Sequence, residues 1–266
     1  MVARNLIITG MPRGGTTLLA ALIDSSPGVL CLSEPKLPKA KAGLSNSTFV
    51  EGLVVDFEDF RTRVARGDTV QDRRKPHGER LTNYLSPADA SGNRAQIWQW
   101  SVFRRPDLPG DFTLGVKQNG HFLGALEELS RNDYFECVGL IRHPRDTFAS
   151  WVSTPFTVNA GRLPNAEKRR QLMADIGRSD ALSVPERMAH IYEAIVRRLA
   201  LTPVSALLRY EDIVNDPSSL FRMLRLEAGD VALVAPQPAP VENAVVASAL
   251  DALAICGDVA KQLYSW

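Results

Sequence analysis

Reading from the amino end, the first apolar run is Asn5-Leu6-Ile7-Ile8-Thr9, cut off by Gly10 and Pro12. A short apolar run closed by turn residues predicts a buried strand. From Thr17 to Ser25 the period changes: Leu18, Leu19, Leu22 and Ile23 recur at helical spacing, and Pro27-Gly28 ends the element. Val29-Leu30-Cys31-Leu32 then reads as a second strand. Strand, glycine-rich turn, helix and strand within about thirty residues make a βαβ unit, which builds parallel sheet. Further strands are predicted at 112–116, 135–141 and 204–208, with helical patterns at 121–130, 145–153 and 185–201. The last helix is amphipathic through Met188, Ile191, Ile195, Val196 and Leu199. This alternation predicts a single α/β domain over residues 1–266, with three α/β/α layers around a central parallel sheet.

Two stretches break the rhythm. Residues 36–110 are rich in Arg, Asp, Gly and Pro with scattered helical signal near Phe49–Phe60, and residues 154–184 are polar and carry Pro155, Gly161 and Pro164. Both are expected to be insertions above the carboxyl edge of the sheet, where α/β proteins bind ligands. A proline-rich stretch, Ala235–Val241, reads as a linker before a final helix. Composition narrows the partners. The formal net charge of +1 gives no global attraction to nucleic acid or anionic lipid, and neither partner is expected. No apolar run approaches the roughly 20 residues that span a bilayer, and Leu6-Ile7-Ile8 is too short for a signal peptide. Cys31, Cys137 and Cys256 form no CxxC pair and are expected to be buried small residues in a reducing compartment. The expectation is a cytoplasmic protein, and the sequence is compatible with a monomer or a homo-oligomer.

Candidate chemistry enters at Gly10-Met11-Pro12-Arg13-Gly14-Gly15-Thr16-Thr17, between the first strand and the first helix. Glycines there let the backbone approach an anion, and the helix N-terminus offers unpaired N–H groups. The loop is P-loop-like, but a nucleotide triphosphatase needs GK[ST], and the lysine position is Thr16. The cation in this loop is Arg13, three residues earlier. A kinase or NTPase reading thus lacks its key charge, though it remains the alternative.

The Pro-Arg-Gly-Gly-Thr-Thr core resembles the 5′-phosphosulfate loop of sulfotransferases that use 3′-phosphoadenosine-5′-phosphosulfate (PAPS), with Gly14 where a Ser is frequent. A second block, Ile141-Arg142-His143-Pro144-Arg145-Asp146-Thr147-Phe148-Ala149-Ser150-Trp151, resembles that family's 3′-phosphate motif. A third, Leu208-Arg209-Tyr210-Glu211-Asp212-Ile213, resembles its RYEDL segment. The resemblance implies that Arg13, Gly14, Gly15, Thr16, Thr17, Arg142, Ser150 and Tyr210 bind PAPS and the product PAP, and that no metal is required. Arg and Ser suit that task, since a guanidinium fork matches a dianionic phosphate and a hydroxyl adds a directional donor.

Sulfuryl transfer needs a base for the acceptor hydroxyl and cations at the leaving phosphate. Glu34 follows the second strand in a segment that looks like that of tyrosylprotein sulfotransferases, where a Glu so placed is the general base. The competing base is His121, four residues after the strand-ending Lys117, whereas cytosolic small-molecule sulfotransferases place a His two residues after theirs. His121 is expected at the start of the following helix, as a cap or acceptor-pocket residue. Lys117 and Arg13 are the candidates for stabilising the bridging oxygen. Trp98, Trp100, Phe103 and Trp151 are the aromatics available to adenine or acceptor; His77 and His190 are expected to be structural, and His143 has no assigned role. The implied acceptor is a small-molecule hydroxyl, its specificity held in 36–110 and 154–184. A catalytically dead PAP-binding scaffold is the third reading.

Overall fold

The computed structural model describes residues 3–41, 43–75, 79–87, 94–154, 157–163, 181–230 and 243–264. The expected strands form one parallel sheet: β1 (Asn5–Gly10), β2 (Val29–Ser33), β5 (Thr113–Lys117), β6 (Glu136–Ile141) and β7 (Ala206–Arg209), in the order β2-β5-β1-β6-β7. Between β2 and β5 a separate antiparallel pair is inserted, β3 (Val70–Arg74) and β4 (Gln99–Phe103). Because the five strands run the same way, the residues after Gly10, Ser33, Lys117, Ile141 and Arg209 all emerge at one edge. That edge is where ligands bind in such sheets.

Side-chain alternation divides the strands between two cores. Leu6 and Ile8 of β1, with Val29 and Cys31 of β2, pack beneath α1 (Thr16–Ser25), together with α7 (Tyr210–Asn215) and α8 (Pro217–Leu224). Ile7, Leu30 and Leu32 face the opposite core. That core is built with α2 (Asn46–Ala65), α3 (Asn119–Gly124), α4 (Leu126–Ser130), α5 (Pro144–Val152), α6 (Val184–Leu201) and α9 (Ala244–Cys256). The result is the expected three-layer α/β/α arrangement.

Several elements differ from the sequence pattern. The scattered helical signal in 36–110 resolves into the 20-residue helix α2. Ser45 caps it by accepting from Thr48 N, and Phe49, Leu53, Phe57 and Phe60 lie fully or nearly fully in the core. The segment 121–130 is two helices rather than one. The turn falls at Ala125, whose backbone (φ −108°, ψ 15°) leaves the helical region while its side chain stays buried. In 154–184 the described residues form a 3₁₀ turn at Thr157–Ala160 and the start of α6, closed by a Ser183/Glu186 capping box. Cys31 and Cys137 are buried, but Cys256, at the end of α9, is only half-buried. His77, Pro155, Pro164 and the 235–241 linker lie outside the described residues. Among the described residues no helix is long and apolar enough to cross a membrane.

Beyond α9, α10 (Asp258–Leu263) closes against α6. The buried Glu193 carboxylate of α6 accepts from Val259 N and Ala260 N, both at 3.0 Å. Tyr264 follows, its hydroxyl donating to Glu211 Oε2.

Candidate active site

Two clusters meet at the carboxyl edge, around a cavity of about 700 Å³. The first is the loop after β1. Met11 N donates to Leu140 O and Gly14 N to Met11 O, folding the loop back on itself. Arg13 adopts φ +62°, a conformation few non-glycine residues take outside functional sites. Gly15 sits at φ +96° as N-cap of α1, and a Cβ there would lie 2.3 Å from Tyr210 Cδ2. Glycine is therefore required both by the backbone and by the close approach of Tyr210. No side chain caps α1, so the first-turn N–H groups stay available to a ligand. Thr16, in the position of the triphosphatase lysine, is buried, and its methyl group packs close to Gly10.

The Arg142 block joins this loop. The carbonyl of Arg142 accepts from Tyr192 Oη (2.6 Å) and Thr147 Oγ1, which fixes the backbone, and its guanidinium lies 4.5 Å over the Tyr210 ring. Nη1 donates to Arg13 O, while the buried Nε has no hydrogen-bond partner. Ser150, two turns along α5, also faces the cavity, with Arg13 Nε 3.4 Å from its hydroxyl. Arg13, Gly15, Thr16, Thr17, Arg142, Ser150 and Tyr210 thus all line one cavity, and Gly14 holds the turn beneath. Burial, and then Arg94 and Arg142, depress the Arg13 guanidinium to about 10. Arg13 remains a cation near neutral pH.

The second cluster is built on adjacent strand ends. Ser33 is in register with Lys117, and Glu34 N donates to Lys117 O at 2.8 Å, extending the ladder by one bond. Glu34 itself turns into φ +52°. Its Oε1 accepts from Lys117 Nζ at 2.5 Å and its Oε2 from Arg73 Nη1. The Lys117 side chain is 2% exposed and that of Glu34 is 15% exposed. Burial pushes the Glu34 carboxyl upward, but Lys117 and Arg73 outweigh it and hold it below the ordinary carboxylate value. Burial depresses Lys117, and Glu34 with Tyr84 more than restores it. Both groups are therefore charged at neutral pH.

His121 lies in the first turn of the following helix, as expected, but it does not cap it. Helix α3 begins at Asn119 with Gln118 as N-cap, so His121 is its third residue and not a cap. Asn119 and Gly120 line the cavity while His121, the next residue, does not, though it is near enough to Glu34 to help draw that carboxyl down. Its ring instead stacks on the core residue Phe49, with centroids 6.3 Å apart. Of the four aromatics, Trp98 lines the cavity. Trp151 is fully buried and donates to Pro12 O at 2.8 Å, bracing the loop from below rather than meeting a ligand. Trp100 is partly exposed, edge-on to Trp98 and 5.6 Å from the Arg73 guanidinium, and Phe103 is covered by the Arg74 guanidinium.

Three cavity residues carry no local sequence signal: Arg73 on β3, Tyr84 and Arg94. Arg73 stacks 4.1 Å from the Trp98 ring while it pairs with Glu34. Tyr84 lies beneath Lys117 and shares a 2.9 Å hydrogen bond with Ser33 Oγ. Below them, a buried network clamps the β3–β4 pair to α1 and β2. Asp24 accepts from Cys31 N and pairs with Arg74, Arg80 and Arg105. Asp72 accepts from Ser33 N (2.9 Å) and Arg74 Nε (2.8 Å), and burial lifts its carboxyl to about 6 against the pull of Arg74.

A crystal structure of a sulfotransferase from Alicyclobacillus acidocaldarius is similar over 99% of this chain and 96% of that one, at 15% identity and a TM-score of 0.46. A sulfotransferase domain from the curacin biosynthetic pathway is similar over 93% of this chain and 83% of that one, at 13% identity and a TM-score of 0.37. No curated protein matches by sequence. The weight falls on the family comparison, in which residues 5–227 match the sequence model of the sulfotransferase family. That span takes in both clusters and every strand of the sheet, and the chain belongs to the sulfotransferase family.

Proposed function

We propose that the protein transfers a sulfuryl group from PAPS to a hydroxyl of a small molecule, with Glu34 as general base. The observation that carries this reading is the single cavity walled at one end by Arg13 and Arg142 on the glycine-rich loop and at the other by Glu34 paired to Lys117. The buried, partnerless Nε of Arg142, the uncapped start of α1 and the close backbone at Gly15 fit a nucleotide bearing phosphate at both ends.

When bound, PAPS supplies a sulfuryl group joined to a phosphate leaving group. The chain's own residues divide the remaining work. Arg142 and Ser150 hold the 3′-phosphate, and Arg13 with residues 14–17 holds the 5′ end. Glu34 takes the acceptor proton as the new O–S bond forms and the bridging S–O bond breaks, releasing PAP. Lys117 and Arg13 neutralise the charge that collects on the bridging oxygen. A carboxylate gripped by Lys117 stays ionised but is a weak base. As the ammonium of Lys117 turns toward the donor's anionic groups, that grip loosens and Glu34 becomes more basic when it is needed.

Thermal-shift titration with PAP and with ATP·Mg²⁺, followed by transfer of radiolabelled sulfate from PAPS to a panel of phenols and alcohols, tests this. Stabilisation by PAP and label on a hydroxyl acceptor are expected. Stabilisation by ATP·Mg²⁺ in place of PAP would sink the reading.

A further inference from the structure

The segment between β3 and β4 contributes more than an acceptor wall. Its two described stretches pair antiparallel: Ser86 N donates to Ala95 O (2.9 Å), Ile97 N to Tyr84 O (3.0 Å), and Leu85 bridges Gln96. This strap touches both clusters. Asn83 accepts from Arg13 Nη2 at 3.3 Å, on the loop side. Next to it, Tyr84 lies beneath Lys117, and Trp98 carries Arg73. Arg94 enters the cavity beside Ala95, at the point where the strap is hydrogen-bonded to itself.

Among the described residues the cavity is lined by six cations (Arg13, Arg73, Lys75, Arg94, Lys117 and Arg142) and two carboxylates, Glu34 and Asp146. Glu34 is taken by Lys117 and Arg73, and Asp146 stands 4.0 Å from Arg142. No carboxylate among the described residues lies within 4.0 Å of Arg94, and its Nε is buried without a hydrogen-bond partner. Arg94 is also close enough to Arg13 to help lower that guanidinium. Gathering like charges in a partly dry cavity disfavours the fold unless an anion enters between them.

We propose that Arg94 is a ligand for the anionic groups of the donor nucleotide, supplied by the acceptor-side strap, so that donor binding fixes the wall the acceptor meets. The proposal rests on the donor reading above and adds to it a residue outside both phosphate blocks. Through the strap's backbone bonds, an anion held by Arg94 also holds Tyr84 and Trp98. An acceptor binding after the donor then meets an ordered surface.

Isothermal titration of the whole protein with PAP and with adenosine, on the wild type, Arg94→Met and Arg94→Lys, decides the matter. Arg94→Met keeps most of the side-chain stem and removes the charge. It is expected to weaken PAP binding about 10- to 100-fold and leave adenosine unchanged, the usual range for a hydrogen bond to a charged group. Arg94→Lys should recover most of the loss, and at saturating PAPS the Met variant should show a raised acceptor KM. PAP affinity within about twofold of wild type, or equal losses for PAP and adenosine, would overturn the role of Arg94 and leave the donor reading standing. Failure of the wild type to bind PAP would overturn the donor reading and this proposal together.

Discussion

The two ends of the cavity use the same cations in opposite ways. At the base end, Lys117 and Arg73 converge on Glu34, so both cations find a carboxylate within the protein, one positive charge remains in excess, and the pairing contributes to holding β2, β3 and β5 together. At the loop end, Arg13, Arg94 and Arg142 have among the described residues no carboxylate nearer than Asp146, which is half exposed and 4.0 Å from Arg142. What holds the Arg13 and Arg142 segments is mostly uncharged: the Tyr210 ring under Arg142, Tyr192 Oη on its carbonyl, and Trp151 on Pro12. A cluster whose cations are paired within the protein supports the fold. An unbalanced one is supported by the fold and gains its balance from a ligand.

The comparison can be broken in several ways. The largest effect belongs to Glu34→Gln, which should lower turnover by roughly 10²- to 10⁴-fold, the range of a lost general base, with PAP affinity unchanged. A transfer assay beside a PAP titration checks it, and a near-normal rate would place the base elsewhere. Next, Lys117→Met removes one of the two cations on Glu34; because Arg73 still pairs with the carboxylate, the cost should stay below the roughly 3–5 kcal/mol of a fully broken buried pair. A urea midpoint would report it; an unchanged midpoint would mean the base end is not self-supporting. The same variant should move the acid limb of the rate profile to higher pH, because burial pushes the Glu34 carboxyl up once Lys117 no longer pulls it down.

Arg142→Met should behave conversely. PAP affinity falls about 10- to 100-fold, while the melting temperature without ligand stays level or rises as like charges are relieved. A clear drop in that temperature would show the loop end carrying structural load after all. The smallest effect lies beneath the base end. Asp72 holds its proton to about pH 6 when folded, against the usual 3.8. Between those values the folded protein binds a proton that the unfolded chain releases, so this group's contribution to stability shrinks as pH rises through that window. Asp72→Asn, neutral throughout, should flatten the slope in urea midpoints measured across it.

Much of this site was legible because its parts lie directly after strands. Gly10–Thr17, Glu34, Lys117 and Arg142 each end an apolar run, and parallel strands bring such ends to one edge without further information. Ser150 came from the resemblance of its block to the family's 3′-phosphate motif. The cap role expected for His121 fails because the helix begins two residues earlier, at Asn119, and that onset carries no cap signal. Trp151 was offered as a ligand contact, yet a Trp one residue past a cavity serine points the other way, into the core. The β3 strand hid best. Its buried positions include Asp72 and Arg74, charged groups that satisfy one another, so hydrophobic patterning reads it as solvated. Arg73, between them, gave no sign that it would reach Glu34.

The clasp of α10 and Tyr264 on α6 and Glu211 has a practical consequence for anyone trimming the chain. The family match stops at residue 227, yet Val246, Ala249, Leu253, Val259, Ala260 and Tyr264 belong to the same core as Ile7 and Trp151. Cutting there would leave the Glu193 carboxylate buried without its two N–H donors, and Glu211, which holds His143 N beside Arg142, without Tyr264. The stretch by which a relative is recognised is shorter than the stretch that must fold together, and truncation scans should begin beyond 264.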